Sequence, residues 1–147
     1  MPDDTNQLTS DHGWDVSDLN AENFTSSIMN NCERCSVFID AGTDLGLINN
    51  NNINAIEIYT GPYADAFKSG DNELLDRELK KIIFTAESAK KAGFRVNAGH
   101  DLDLNNLILL REHNLIDEVS IGHAIITESL DKGFKTIIRQ YIEVING

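Results

Sequence analysis

The dipeptide Gly-His occurs twice, as Gly99-His100 and as Gly122-His123, and each time it ends a short apolar segment that follows a helical pattern. The first segment is Phe94 to Ala98, behind a long amphipathic run that stops at Gly93. The second is Val119 to Ile121, behind another helical stretch. Two strands joined through a helix are parallel neighbours, because a parallel pair needs a crossover connection. Asn97-Ala98-Gly99-His100 suits a site better than a core, and glycines at such strand ends let backbone N–H groups approach a bound anion.

The rest of the chain repeats this plan. Residues 1–15 are polar and turn-rich and read as a loop. Ser17 and Asp18 are placed to cap a helix running to about Asn30, with Leu19, Phe24 and Ile28 as its apolar contacts. Ser36-Val37-Phe38-Ile39 reads as a fully buried strand ending at Asp40, and Thr43 to Asn50 as a short helix. Ala55 to Tyr59 forms the next strand, followed by a loop at Thr60-Gly61-Pro62-Tyr63 and a turn at Ser69-Gly70-Asp71. Glu73 to Ala92 carries the clearest 3.6-residue period, through Leu75, Leu79, Ile82, Ile83, Ala86 and Ala89, with Gly93 at the left-handed cap. A third strand over Phe94–Ala98, a helix over Leu104–Glu112 and a fourth strand over Glu118–Ile121 follow. Two helices, Ala124–Leu130 and Lys135–Ile145, split at Gly133, close the chain.

Alternating strands and helices with short connections imply an α/β fold with a parallel sheet. Neither G-x-G-x-x-G nor a Walker loop marks a nucleotide fold. In a (β/α)8 barrel the chemistry lies on loops after the strands, where Asn97 to His100 and Gly122-His123 fall, but a barrel needs eight strands and about four are legible here. The 147 residues fit one domain or part of one. A net charge of −12 and a pI near 4.5 argue against nucleic acid or an anionic membrane as partner, since both require basic surface. With no apolar run of transmembrane length and no basic-then-apolar start, the cytoplasm is the expected location. Cys32 and Cys35 precede a strand and lack further zinc ligands, so they read as two reduced thiols. His12 and His113 read as loop residues.

Five stretches then stand in one family's order and spacing: Asn-Gln-Leu-Thr-Ser-Asp-His-Gly-Trp-Asp (6–15), Phe-Ile-Asp (38–40), Glu-Ile-Tyr-Thr-Gly-Pro-Tyr-Ala (57–64), Val-Asn-Ala-Gly-His (96–100) and Ile-Gly-His-Ala-Ile-Ile (121–126). On these the chain resembles the C-terminal part of the pyridoxine 5′-phosphate synthase family of vitamin B6 biosynthesis, over essentially its whole length. The resemblance implies a TIM barrel that assembles into homo-octamers and uses no metal or organic cofactor. It implies condensation of 3-amino-2-oxopropyl phosphate with 1-deoxy-D-xylulose 5-phosphate to pyridoxine 5′-phosphate, phosphate and water. His100 matches the family's proton donor, a role suited to imidazole. Gly122 and His123 match a pair that binds the aminoketone phosphate, and Thr9 matches a contact to the deoxyxylulose phosphate.

On the same resemblance, residues 1–147 correspond to an incomplete barrel: 1–16 to the loop after the fourth strand, and 17–147 to the C-terminal strand–helix units, a half barrel of about four parallel strands. The family's earlier catalytic histidine and glutamate and its phosphate-binding arginine belong to the N-terminal half, so the isolated chain is expected to be inactive. Asp101 stands where the family has glycine, and a carboxylate there repels phosphate. Tyr59 replaces a histidine common in the family. Asp40 and Glu57 invite pairing as acid and base, but strand-end carboxylates are often satisfied by nearby amides, and no catalytic role is assigned to them. A half barrel is also expected to leave two strand edges unpaired and an apolar interior face uncovered. The competing expectation is a non-catalytic half barrel with a residual phosphate pocket or an interaction role.

Overall fold

In the computed structural model, residues 2–21, 32–49 and 52–147 are described. They form one sheet of four parallel strands, β1 (Ser36–Asp40), β2 (Ala55–Tyr59), β3 (Arg95–Gly99) and β4 (Glu118–Ser120), paired in sequence order. The helices are α1 (Val16–Leu19), α2 (Gly61–Ser69), α3 (Asn72–Lys91), α4 (Leu107–Arg111), α5 (His123–Lys132) and α6 (Phe134–Asn146). The strand–helix alternation read from the sequence is therefore the observed architecture, that of a partial TIM barrel.

Period-2 alternation divides the sheet into two unlike faces. Val37 and Ile39, Ile56 and Ile58, and Val96 and Ala98 turn to the helical layer. There they join Ile82, Ala86 and Ala89 of α3, Leu107 and Leu110 of α4, and Ile137 and Tyr141 of α6 in one buried core. Each fully buried isoleucine contributes about 1.5–3 kcal/mol, so this layer dominates stability. On the opposite face the register aligns Phe38, Glu57, Asn97 and Glu118 in one row, and Asp40, Tyr59, Gly99 and Ser120 in the next. That face is largely polar, which corrects the expectation of an apolar interior. The apolar residues of β2 and β3 occupy the alternate positions and are spent on the helices. Across this face Arg34, just before β1, makes a bidentate ion pair with Glu118 of β4 at 2.9 and 3.1 Å.

Local chemistry explains where the elements begin and end. Asp71 accepts from the amides of Glu73 and Leu74 at 3.0 Å each, capping α3, and Gly93 takes the left-handed conformation just past its end (φ 87°). Gly133 (φ 82°) separates α5 from α6, as expected. Thr43 to Asn50 was expected to be helical, but over its described residues, 43–49, a single 3-10 turn forms, at Leu45–Leu47. Its backbone is held elsewhere: Gly42 N donates to Thr85 Oγ1 (2.8 Å), Leu45 N to Ser88 Oγ (2.9 Å), and Thr85 Oγ1 to the Thr43 carbonyl (3.0 Å). The expected loop at Thr60–Tyr63 is instead the start of α2. Pro62 lies in its first turn, where a missing N–H costs nothing. The helix expected from Leu104 starts at Leu107, because the Asp103 carboxylate takes the amides of Asn105 and Asn106 in a turn.

Of the helix expected from Ser17 to Asn30, the described residues show α1, with Leu19 buried; residues 22–30, with Phe24 and Ile28, lie outside the described residues. Cys32 and Cys35 are free thiols, exposed and buried respectively. Among the described residues, no helix is long and apolar enough to cross a membrane.

Candidate active site

The C-terminal ends of the strands gather the polar residues singled out in the sequence. At the end of β3 the chain turns sharply, and His100 (φ 92°) and Asp101 (φ 55°) both adopt positive φ. Two consecutive non-glycine residues in that region are strained unless their surroundings hold them. Thr60, fully buried at the end of β2, supplies the hold: its hydroxyl lies 2.7 Å from the Gly99 carbonyl and 2.6 Å from that of His100, and its amide donates to Gly99 O at 2.9 Å. From the other side Asn106 Nδ2 donates to the Asp101 carbonyl at 3.0 Å. Aspartate is among the few residues that tolerate this conformation, and glycine is more at ease in it.

The His100 ring is held by three neighbours. Thr9 Oγ1 lies 2.8 Å from Nε2, Asp101 Oδ2 lies 3.0 Å from Nδ1, and the Tyr59 ring meets it edge-on at 5.0 Å. Thr9 reaches this position because the N-terminal loop runs along the free edge of β1. There Gly13 N donates to Asp40 Oδ1 and Trp14 N to the Phe38 carbonyl, each at 2.8 Å. A Cβ on Gly13 would stand 2.3 Å from Ile39 Cα, so only glycine permits this approach. Thr9 and His100, the first and the central site residues read from the sequence, are thus in direct contact.

Gly122 and His123 sit one strand over, where β4 leads into α5, with His123 as the first helical residue. His123 is exposed and lines a cleft of about 690 Å³ between α2 and α5, with Asp101 on its other wall. Asp65, Asp103 and Glu128 line the same cleft against Lys68. This balance is unfavourable for an anion, in keeping with the acidic composition. Among the described residues, no cluster of His, Cys, Asp or Glu has the arrangement to hold a metal ion. His12 pairs with neighbouring Asp11 on the surface, and each stabilises the charged form of the other. His113 is exposed in the turn after α4.

Sequence reasoning assigned no role to Glu57, yet the structure brings it to the site. Its carboxylate packs on Gly99, whose Cβ, if present, would stand 2.2 Å from Glu57 Oε1. Burial pushes the Glu57 carboxyl above the usual carboxylate range, against a hydrogen bond from Ser120 and the attraction of His100. Burial, and then the Asp101 carboxylate, likewise raise the Tyr59 phenol. The missed signal was the alternation Ala55-Ile56-Glu57-Ile58-Tyr59, which places Glu57 on the face away from the helices, in register with Asn97. Asp40, by contrast, accepts the Gly13 amide, the kind of satisfaction expected for it.

An acid–base group held between a hydroxyl and a carboxylate at the strand ends, beside a half-buried carboxyl, is equipped for proton transfer. Comparison with known proteins finds relatives over nearly the whole chain. Pyridoxine 5′-phosphate synthase of a Chelativorans species is 37% identical over 150 residues, covering 97% of this chain and 59% of the relative. The enzyme of the same name from Cytophaga hutchinsonii is 38% identical, covering 97% and 60%. That from Xanthomonas axonopodis pv. citri is 38% identical, covering 99% and 57%. The chain therefore spans about three fifths of the length of these curated relatives. A family model described as "Pyridoxal phosphate biosynthesis protein PdxJ" matches residues 1–147, and the chain belongs to that family.

Proposed function

We propose that this chain provides the C-terminal half of a pyridoxine 5′-phosphate synthase active site. The observation that carries the reading is the 2.8 Å contact between Thr9 Oγ1 and His100 Nε2, residues 91 positions apart. In this reading residues 1–16 are the loop after the barrel's fourth strand, and residues 17–147 are its C-terminal strand–helix units. His100 transfers protons during condensation of 3-amino-2-oxopropyl phosphate with 1-deoxy-D-xylulose 5-phosphate. Thr9 holds the deoxyxylulose phosphate, while Gly122 and His123 hold the aminoketone phosphate at the start of α5. The protein works in the cytoplasm, in a homo-octamer like the rest of the family.

Four strands cannot enclose a barrel interior. Turnover therefore requires the N-terminal strands, from the same or another polypeptide, and residues 1–147 alone are inactive. The test is to mix the purified chain with the N-terminal half of a relative and assay formation of pyridoxine 5′-phosphate. Activity that appears only on mixing, and that falls by at least about 100-fold in His100→Ala, supports the proposal. Absence of activity at every ratio, with both halves folded, favours a second reading in which the chain is a non-catalytic half barrel with a phosphate-binding or interaction role. The carboxylates around His123, unfavourable for an anion, are the observation against catalysis and speak for the interaction role.

A further inference from the structure

We propose that Asp101 is a positioning residue that locks His100 in the Nδ1–H tautomer, so that Nε2 at rest is a proton acceptor facing Thr9. The inference rests on reading His100 as the proton-transfer group, and it assigns the direction of the first transfer. An ionised carboxylate can only accept a hydrogen bond. With Asp101 Oδ2 3.0 Å from Nδ1, the proton of neutral His100 belongs on Nδ1. Nε2 is then bare, and at 2.8 Å the Thr9 hydroxyl must be the donor. The result is a chain of two hydrogen bonds, Thr9 to His100 to Asp101, running in one direction.

The backbone beneath this arrangement is held on both sides. Asp101 follows His100 directly, and both backbones are fixed at positive φ by Thr60 on one side and Asn106 on the other. The Tyr59 ring packs edge-on against the imidazole from the β2 side. The His100 side chain is 19% exposed, against 55% for Asp101, so the carboxylate keeps contact with water while the ring does not turn freely. A neutral ring held this way must first accept a proton at Nε2, forming imidazolium opposite the Asp101 carboxylate, before it can donate that proton from Nε2 to a departing oxygen. One proton enters and one leaves, and His100 ends as it began.

The experiment reads the tautomer directly and requires no turnover. Long-range proton–nitrogen spectra of the full chain, labelled with ¹⁵N-histidine, are recorded above the ordinary histidine titration range. The spectrum of His100→Gln identifies the resonances among the four histidines. The expected result is a pyrrole-like Nδ1 and a pyridine-like Nε2 for His100. Asp101→Gly, which suits the positive φ, should return the ring to the Nε2–H form that predominates in free histidine. Asp101→Asn keeps an acceptor oxygen and should restore Nδ1–H. A wild-type Nε2–H ring, a tautomer unchanged in Asp101→Gly, or a signal matching the urea-unfolded chain each overturns the proposal. Inactive mixed halves with the Nδ1–H form intact would refute the proposed function and leave this inference standing.

Discussion

Gly99-His100 and Gly122-His123 end neighbouring parallel strands with the same two residues, and their surroundings differ in nearly every respect. Gly99 is buried between Glu57 and Ser120, and His100 is tied to Thr9, Thr60 and Asp101. Gly122 has no neighbour within 4 Å of where a Cβ would stand, His123 is exposed, and no residue of α5 is fully buried. Strand position explains the contrast. β3 has a strand on each side, and both contribute side chains to its end, whereas β4 is the sheet's last strand and is three residues long. A dipeptide acquires a site's geometry from its neighbours, not from its own identity.

If that is right, matched substitutions must behave differently at the two ends. The largest difference is expected from hydroxyl removal. Thr60→Val keeps the shape but strips the hydroxyl shared by the buried Gly99 carbonyl and the part-buried His100 carbonyl, at a cost of about 1–3 kcal/mol. Thr127→Val, which removes bonds to the carbonyls of His123 and Ala124 on an exposed helix, should stay within about 0.5 kcal/mol. Urea unfolding of both variants checks this, and equal losses would mean that the two ends are equally built. Next comes Gly99→Ala, whose Cβ forces the Glu57 carboxylate aside at about 1–2 kcal/mol, whereas a Cβ at Gly122 meets no atom within 4 Å and carries no such clash.

The smallest effect concerns pH. The folded state raises the Glu57 carboxyl above its unfolded value, so its contribution is most favourable at low pH and is lost as pH rises through the folded value. Glu57→Gln should therefore stabilise the chain modestly at pH 7, by less than either loss above, and leave its stability unchanged below about pH 4, where unfolded glutamate is also protonated. Thermal melts across that interval decide it. A gain that persists at low pH would assign the effect to packing.

The legible parts of the fold were those governed by periodicity and caps. β2 lies over the residues read as a strand, α3 differs from its reading by one residue at each end, and Gly93 and Gly133 punctuate the helices as expected. What escaped was set by partners distant in sequence. Pro62 reads as a turn until Tyr63, buried with its hydroxyl on the Asn106 carbonyl, shows that α2 is packed and helical. The Thr43–Asn50 stretch lost its helix to Thr85 and Ser88, more than forty residues later. Likewise Asp101 could be recognised as a departure from the family's glycine, but not as a residue at φ 55° beside Nδ1, because backbone sign and side-chain direction depend on Thr60 and Asn106.

The bidentate Arg34–Glu118 pair joins the first strand's approach to the last strand, passing over the two between them. With both side chains about two-fifths exposed, it adds little to stability. Its importance is dimensional. A sheet tied at both margins has a set chord, which in the proposed reading is the width the N-terminal strands have to bridge. On that reading the chain is an arch of given span, and completing the barrel is a matter of fitting a piece of matching width.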